Sequence, residues 1–188
     1  MSFLKEFIFS PTQTGAVASS SKFLAKTMIE SSELKDAKCI VELGSGTGVF
    51  TKEILGGVSE GVVFFGLEVN PVFVETTKDR CPEAVIYQAS AKDLSVYLKK
   101  YDRSNCDRVI SGLPWAAFER ENQEELLGAI FKSLAPGGLF VTFTYVHSPH
   151  LPAGKQFKRR LMNLFLDVQT SPVVWRNIPP AFVYICRK

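Results

Sequence analysis

"CIVELGSGTGVFT", residues 39–51, decides how this chain is read. It opens with an apolar, β-branched run and then sets three glycines, Gly44, Gly46 and Gly48, ahead of a segment with helical spacing. A strand that passes through glycines into a helix N-terminus lets backbone amides approach a ligand closely. The spacing is G-x-G-x-G, which departs from the G-x-G-x-x-G expected for a dinucleotide pyrophosphate. A carboxylate ends the next apolar run: Glu68 of "GLEVN" lies 20 residues beyond Gly48 and suits the paired ribose hydroxyls of a nucleoside. Glu42, inside the first run, would repel a pyrophosphate but suits a cationic amino-acid moiety. Together these residues predict S-adenosylmethionine rather than NAD as the ligand.

Outward from this stretch the chain alternates between two periods. Strand-like runs fall at 39–43, 61–69, 84–89, 107–112 and 138–145; helical segments fall at 19–30, 47–57, 71–80, 91–100 and 119–134, the last ending in "LAPGG". Such alternation predicts a doubly wound α/β fold, a mostly parallel sheet with helices on both faces. Two further runs, 168–175 and 181–188, are joined by "RNIPP" and predict a closing hairpin that brings an antiparallel strand into the sheet. With 188 residues, 46% of them hydrophobic, the chain supports one core, and we expect a single domain over 1–188 with residues 1–30 as a helical N-terminal extension. A net charge of +3 is too small to argue for nucleic acid by itself. No run approaches the ~20 apolar residues of a membrane span, and the start lacks the basic and apolar regions of a signal peptide, so a cytoplasmic protein is expected. Cys39, Cys81, Cys106 and Cys186 show no CxxC spacing; reduced thiols are expected, with no metal site and no disulfide framework.

The loop "ELGSGTG" resembles that of the class I S-adenosylmethionine-dependent methyltransferases. "FSPTQTGAVASSSKFLAKTM" (9–28), "VISGLPWAAF" (109–118), "LAPGGLFVTFTY" (134–145) and "VVWRNIPPAFVYICRK" (173–188) together resemble the bacterial phospholipid N-methyltransferase family, over essentially the whole chain. The resemblance implies a Rossmann-like sheet of seven strands with the last antiparallel, and stepwise methylation of phosphatidylethanolamine toward phosphatidylcholine. S-adenosylmethionine would be the methyl donor and S-adenosylhomocysteine the product. It implies cofactor contacts from Glu42, Gly44, Ser45, Gly46, Gly48, Glu68, Val69, Ser90, Ala91, Ser111 and Gly112, and substrate contacts from Leu113, Pro114, Trp115 and Tyr145. The chain departs from the family pattern at three places. "TGAV" is followed by Ala18-Ser19-Ser20 instead of Pro-Ser-Ser; "QASAKDL" puts Ser90 where an acidic residue near adenine is usual, with Asp93 three residues on; and "VHSPHLP" follows Tyr145 in place of Gly-Pro. The second leaves adenine to the Ser90 hydroxyl or neighbouring backbone, and the third bears on how the head group is selected.

"VISGLPWAAF" speaks to the acceptor. Methyltransferases that act on a planar amide or on adenine often end this strand with Asn or Asp, then Pro-Pro or Leu-Pro and an aromatic residue. Here Ser111 replaces the amide, Gly112 is extra, and Trp115 takes the aromatic position. An aliphatic amine must instead lose a proton, and the ammonium that forms is best stabilised by aromatic faces, for which Trp115, Phe118 and Tyr145 are the candidates. Trp115 and Phe118 also read as ordinary core or lid residues. Ser111 and Tyr145 are the candidate catalytic residues, Tyr145 to bond the amine and relay its proton. His147 and His150 lie just beyond and carry the side chain suited to proton removal near neutral pH, or are simply solvated.

A lipid acceptor calls for peripheral contact with an anionic membrane, expected at the inner face. "SFLKEFIF" sets Phe3, Leu4, Phe7 and Ile8 at helical spacing, and "GKQFKRRLMNLFLD" (154–167) interleaves Lys155, Lys158, Arg159 and Arg160 with Phe157, Leu161, Leu164 and Phe165. The second segment reads equally as a helix packed on the sheet; for the first, the membrane reading stands ahead of that one. Alternative functions are an rRNA adenine N6-methyltransferase-like enzyme, a small-molecule amine methyltransferase, and a non-catalytic lipid- or cofactor-binding protein. Against nucleic acid stand the missing amide at Ser111 and the modest charge.

Overall fold

The computed structural model describes residues 20–188. The N-terminal stripe of Phe3, Leu4, Phe7 and Ile8 lies outside them. α1 (Lys22–Glu30) starts where Ser21 accepts a hydrogen bond from the Leu24 amide, three residues later than its sequence pattern begins. β1 (Cys39–Leu43), α2 (Val49–Gly57), β2 (Val63–Glu68), α3 (Pro71–Arg80), β3 (Ile86–Gln88), α4 (Leu94–Lys99), β4 (Cys106–Ser111), α5 (Arg120–Ser133) and β5 (Leu134–Tyr145) follow in the expected alternation. α6 (Pro152–Leu164) and the strands β6 (Asp167–Thr170) and β7 (Ala181–Arg187) complete the chain.

The seven strands form one sheet in the order β3-β2-β1-β4-β5-β7-β6. β7 runs antiparallel to both neighbours, as the hairpin pattern implied. The hairpin is shorter than its apolar runs suggest: β6 stops before Pro172, which offers no amide to the ladder, and only a bridge from Val174 to Ala181 continues it. β5 begins four residues earlier than its sequence run, because Pro136 and the left-handed Gly137 end α5 and the chain extends at once, Leu134 pairing with Cys106.

Helices cover both faces. Leu24, Met28, Phe50 and Ile54 of α1 and α2 pack with Ile40, Ile110, Val141 and Val183. On the other face Leu94, Leu98, Leu127 and Ile130 of α4 and α5, with Phe157 and Leu161 of α6, pack with Val41, Val109, Phe140 and Tyr184. Each such side chain contributes about 1.5–3 kcal/mol by leaving water. The apolar stripe of α6 is therefore spent on the core: Phe157, Leu161 and Phe165 are buried, so of the two readings of this stripe the sheet-packed one holds. Its cations Lys155, Lys158 and Arg159 remain exposed. Arg108, a buried cation in β4, is satisfied by the carbonyls of Ser32 and Glu33, which ties the end of α1 to the sheet. All four cysteines are free and buried, and burial pushes the Cys39 thiol up to about 11. No helix among the described residues is long and apolar enough to cross a membrane.

Candidate active site

The sheet order itself marks a site. β1 connects toward β2 and β4 connects toward β5, so a crevice opens between the carboxyl ends of these adjacent strands. The loops leaving them press together: a Cβ at Gly112 would stand 2.6 Å from the Gly44 carbonyl oxygen, and one at Gly44 would stand 2.8 Å from Leu113 Cδ2. Gly44, Gly46 and Gly48 all take positive φ, and beyond Gly46 there is open space. Ser45, buried, accepts from the Thr77 hydroxyl at 3.0 Å, and Thr77 also donates to the Gly46 carbonyl at 2.9 Å, so α3 braces the loop.

Two carboxyls meet this loop. Glu42 is fully buried; its Oε2 accepts from the Thr51 hydroxyl at 2.7 Å, while its Oε1 has no partner. Burial, with Glu68 adding repulsion, pushes its pKa up to about 8, the Thr51 hydrogen bond offsetting part of the rise. At neutral pH the free protein holds Glu42 mainly as the acid. Glu68 accepts from the Gly46 amide at 3.1 Å and the Asn70 amide at 2.9 Å, and burial raises its pKa as well. Next to it Val69 is 44% exposed, an apolar surface beside polar groups. Ser90 caps the turn at Ala91–Asp93, its oxygen accepting from the Lys92 amide at 3.2 Å, and Ala91 is buried beneath.

The end of β4 differs from expectation. Ser111 is buried, and its Oγ accepts from the Trp115 indole at 3.2 Å and from the Leu113 amide at 3.3 Å. Trp115 is 3% exposed; Phe157 stacks on it at 5.2 Å, and Phe118 and Phe140 meet it edge-on. Gln123 donates to the Trp115 carbonyl at 2.6 Å. The indole is thus a core element in this structure and presents no open face, and Ser111 holds it from below. Leu113 and Pro114, both half-buried, form the turn above.

Tyr145 lies elsewhere. Trp115 and Phe118 pack on the α4–α6 face of the sheet, whereas Tyr145 packs on the α1–α2 face, so the three aromatics do not converge. Tyr145 instead closes a row: Phe50 meets Phe143 at 5.8 Å, Phe143 meets Tyr145 at 5.9 Å, and the His147 ring stacks on Tyr145 at 5.8 Å. Phe50 also lies against Gly112, which links the row to the crevice. Sequence reasoning missed Phe50 and Phe143; the period-2 alternation of Phe143 with Tyr145 was the available signal. Burial raises the Tyr145 pKa, which keeps its phenol neutral, and His147 is exposed.

These residues fit S-adenosylmethionine. A buried carboxyl oxygen without a partner suits an ammonium group, a second carboxylate at the end of β2 suits vicinal hydroxyls, and the glycine loop admits close approach.

Comparison with known proteins agrees. A family model described as a methyltransferase domain matches residues 40–138. An ornithine lipid N-methyltransferase of Singulisphaera acidiphila is 31% identical over 188 residues, covering 98% of this chain and 94% of that protein. Among solved structures, the N-methyltransferase NodS of Bradyrhizobium japonicum superposes with a TM-score of 0.70 at 12% identity, over 87% of this chain and 93% of that one. An O-methyltransferase of Bacillus cereus in complex with SAH gives 0.66 at 14% identity, over 89% and 80%. At such identities the two structures speak to the fold alone.

Proposed function

The chain belongs to the methyltransferase-domain family and is an S-adenosylmethionine-dependent methyltransferase; from this we propose that it methylates the primary amine of a membrane lipid head group. Phosphatidylethanolamine is the acceptor implied by the sequence signatures, and ornithine lipid is the one named for the relative; both carry a terminal aliphatic amine on a lipid. The whole-length match to that relative carries this reading. The end of β4 supports it, since the Ser111 hydroxyl is engaged by Trp115 and Leu113 and no side-chain amide stands ready to take a planar base by its edge.

When bound, the cofactor supplies an electrophilic methyl group and its own leaving group. The protein has to hold the amine in line and exclude water. Glu42 Oε1 would hold the ammonium of the cofactor's amino-acid end against the Gly44–Gly48 loop, and Glu68 would accept hydrogen bonds from its ribose hydroxyls. Val69, Ala91 and the Ser90 hydroxyl would border its base, and Gly112 would leave room between loop and acceptor. The amine gives up its proton to solvent before it attacks, and Tyr145, kept neutral by burial, accepts a hydrogen bond from a remaining N–H at its Oη and so aims the nitrogen lone pair at the methyl group. The faces of Tyr145 and Phe143 receive the ammonium as it forms. Leu113 and Pro114 shape the entrance, while Ser111 and Trp115 act from beneath by fixing that turn. The work is done at an anionic membrane on its inner face, with the exposed cations of α6 turned to the lipid.

The test is methyl transfer from labelled S-adenosylmethionine to vesicles containing phosphatidylethanolamine or ornithine lipid, with unmodified ribosomal RNA and a soluble primary amine in parallel. Label in either lipid supports the reading and selects the head group. Label only in RNA or in the soluble amine overturns it.

A further inference from the structure

Large apolar side chains exposed to water are costly, and this protein gathers three at one end. Trp175 is 73% exposed and Ile178 is 82% exposed, both on the loop between β6 and β7, and Leu151, 52% exposed, precedes α6. The Val146 amide donates to the Pro180 carbonyl at 3.0 Å, and Ala181 pairs with Tyr145, so this loop and the β5–α6 connection are neighbours. Both stand at the end of β5 that carries Tyr145, level with the carboxyl ends of β1 and β4 where the crevice opens.

The loop is built to hold its apolar residues outward. Asn177 is buried; its Oδ1 accepts from the Ser21 amide at 3.0 Å and its Nδ2 donates to the Pro179 carbonyl at 2.7 Å. Val174 turns inward against the core, and its amide donates to the Ala181 carbonyl at 2.7 Å. Trp175 projects between these inward anchors and Ile178 directly after them. Cations flank them: the Arg176 guanidinium lies 4.9 Å from the Phe23 ring centroid and the Lys22 ammonium 5.5 Å from the same ring. Residues 126–188 contain eight Lys and Arg and one acidic residue, Asp167, which pairs in register with Arg187 at the far end of the sheet.

We propose that the 171–180 loop is an interfacial anchor, in which Trp175 and Ile178, joined by Leu151, enter the boundary between head groups and acyl chains of an anionic bilayer while Lys22 and Arg176 meet lipid phosphates. An indole and an aliphatic tip beside cations, with no carboxylate on the loop, match that boundary in polarity and charge. The anchor would seat the open end of the crevice against the surface from which a lipid amine arrives. It deepens the lipid reading above and rests on it.

The two tryptophans make the test direct, because Trp115 is buried and Trp175 is not. Vesicles of phosphatidylglycerol and phosphatidylethanolamine are expected to shift Trp175 emission to the blue and to quench it when the acyl chains are brominated; vesicles of phosphatidylcholine alone do neither. Trp175→Ala/Ile178→Ser is expected to lower vesicle affinity by roughly thirtyfold, as loss of that apolar burial implies. It should leave turnover on a short-chain aminolipid dissolved as monomers unchanged. Emission that is already blue without vesicles and unmoved by them would assign the patch to a segment of this chain and overturn the proposal. So would wild-type vesicle affinity in the double variant. Binding with the blue shift but no methylated lipid would sustain the anchor and sink the substrate; methylated lipid with Trp175 unmoved would do the reverse.

Discussion

Glu42→Gln isolates the most strained electrostatic feature of the site. The side chain keeps its shape, and what disappears is a carboxyl whose pKa burial pushes up to about 8 from an ordinary 4.5. An acid raised on folding contributes stability that is fully present below the lower value and lost as pH rises through the upper one. At pH 7 the unfolded chain ionises this group and the folded chain does not, which costs the native state about 3 kcal/mol at roughly 1.4 kcal/mol per pH unit. At pH 5 the same cost is below about 1 kcal/mol. Glutamine carries no such cost. Its amide would stand where Oε1 has no partner, a penalty that is independent of pH and cancels. The stability of the variant minus that of the wild type, from urea unfolding between pH 5 and 9, is therefore expected to rise by about 2–3 kcal/mol from pH 5 to 7 and to level off above about 8. Saturating S-adenosylhomocysteine should flatten the curve, because its ammonium favours the carboxylate, and its binding at pH 7 should release a proton. A difference curve flat with pH would mean that Glu42 ionises in the folded protein as it does in water, and the reasoning from its burial would fail.

Other substitutions probe the neighbouring parts. Gly112→Ala places a methyl group 2.6 Å from the Gly44 carbonyl, and S-adenosylhomocysteine affinity by calorimetry should fall at least about tenfold. Ser111→Ala leaves the buried Trp115 indole without its acceptor and should lower stability by about 1–3 kcal/mol in urea unfolding; an unchanged midpoint would show that the bond contributes nothing. Tyr145→Phe should lower turnover by about 10–100-fold with cofactor affinity unchanged, and wild-type turnover would end its assigned role.

What was legible in the sequence is what local pattern controls. Apolar runs, glycines and Pro136 mark β1, the loop and the end of α5 because strand period, positive φ and the missing amide act within a few residues. The carboxyls Glu42 and Glu68 were found for the same reason, since each sits at a set distance from the glycines along neighbouring strands. The failures concern which face a residue takes at or beyond the end of its strand. Trp115 lies beyond the end of β4 and Tyr145 is the last residue of β5, yet the turn at Leu113-Pro114 sends one ring to the α4–α6 face while strand alternation keeps the other on the α1–α2 face. Composition could not tell whether the amphipathic stripe of α6 met lipid or sheet; Tyr184 and Phe140 take it, an arrangement set by pairing across forty residues of chain. The exposed Trp175 closes a run that reads as strand, while Ile178 lies in "RNIPP", which reads as the joining turn; the strand stops at Thr170, and the bonds of Asn177 help to shape the loop that carries both residues.

The decisive measurement is mass spectrometry of the lipids after purified protein and S-adenosylmethionine have been incubated with vesicles of phosphatidylethanolamine, ornithine lipid and phosphatidylglycerol together, with Tyr145→Phe as the control. Successive methylene increments on one aminolipid, none on phosphatidylglycerol, and a far slower ladder in the variant are expected. Unchanged lipid masses from a protein that binds S-adenosylhomocysteine would contradict a lipid amine as its substrate.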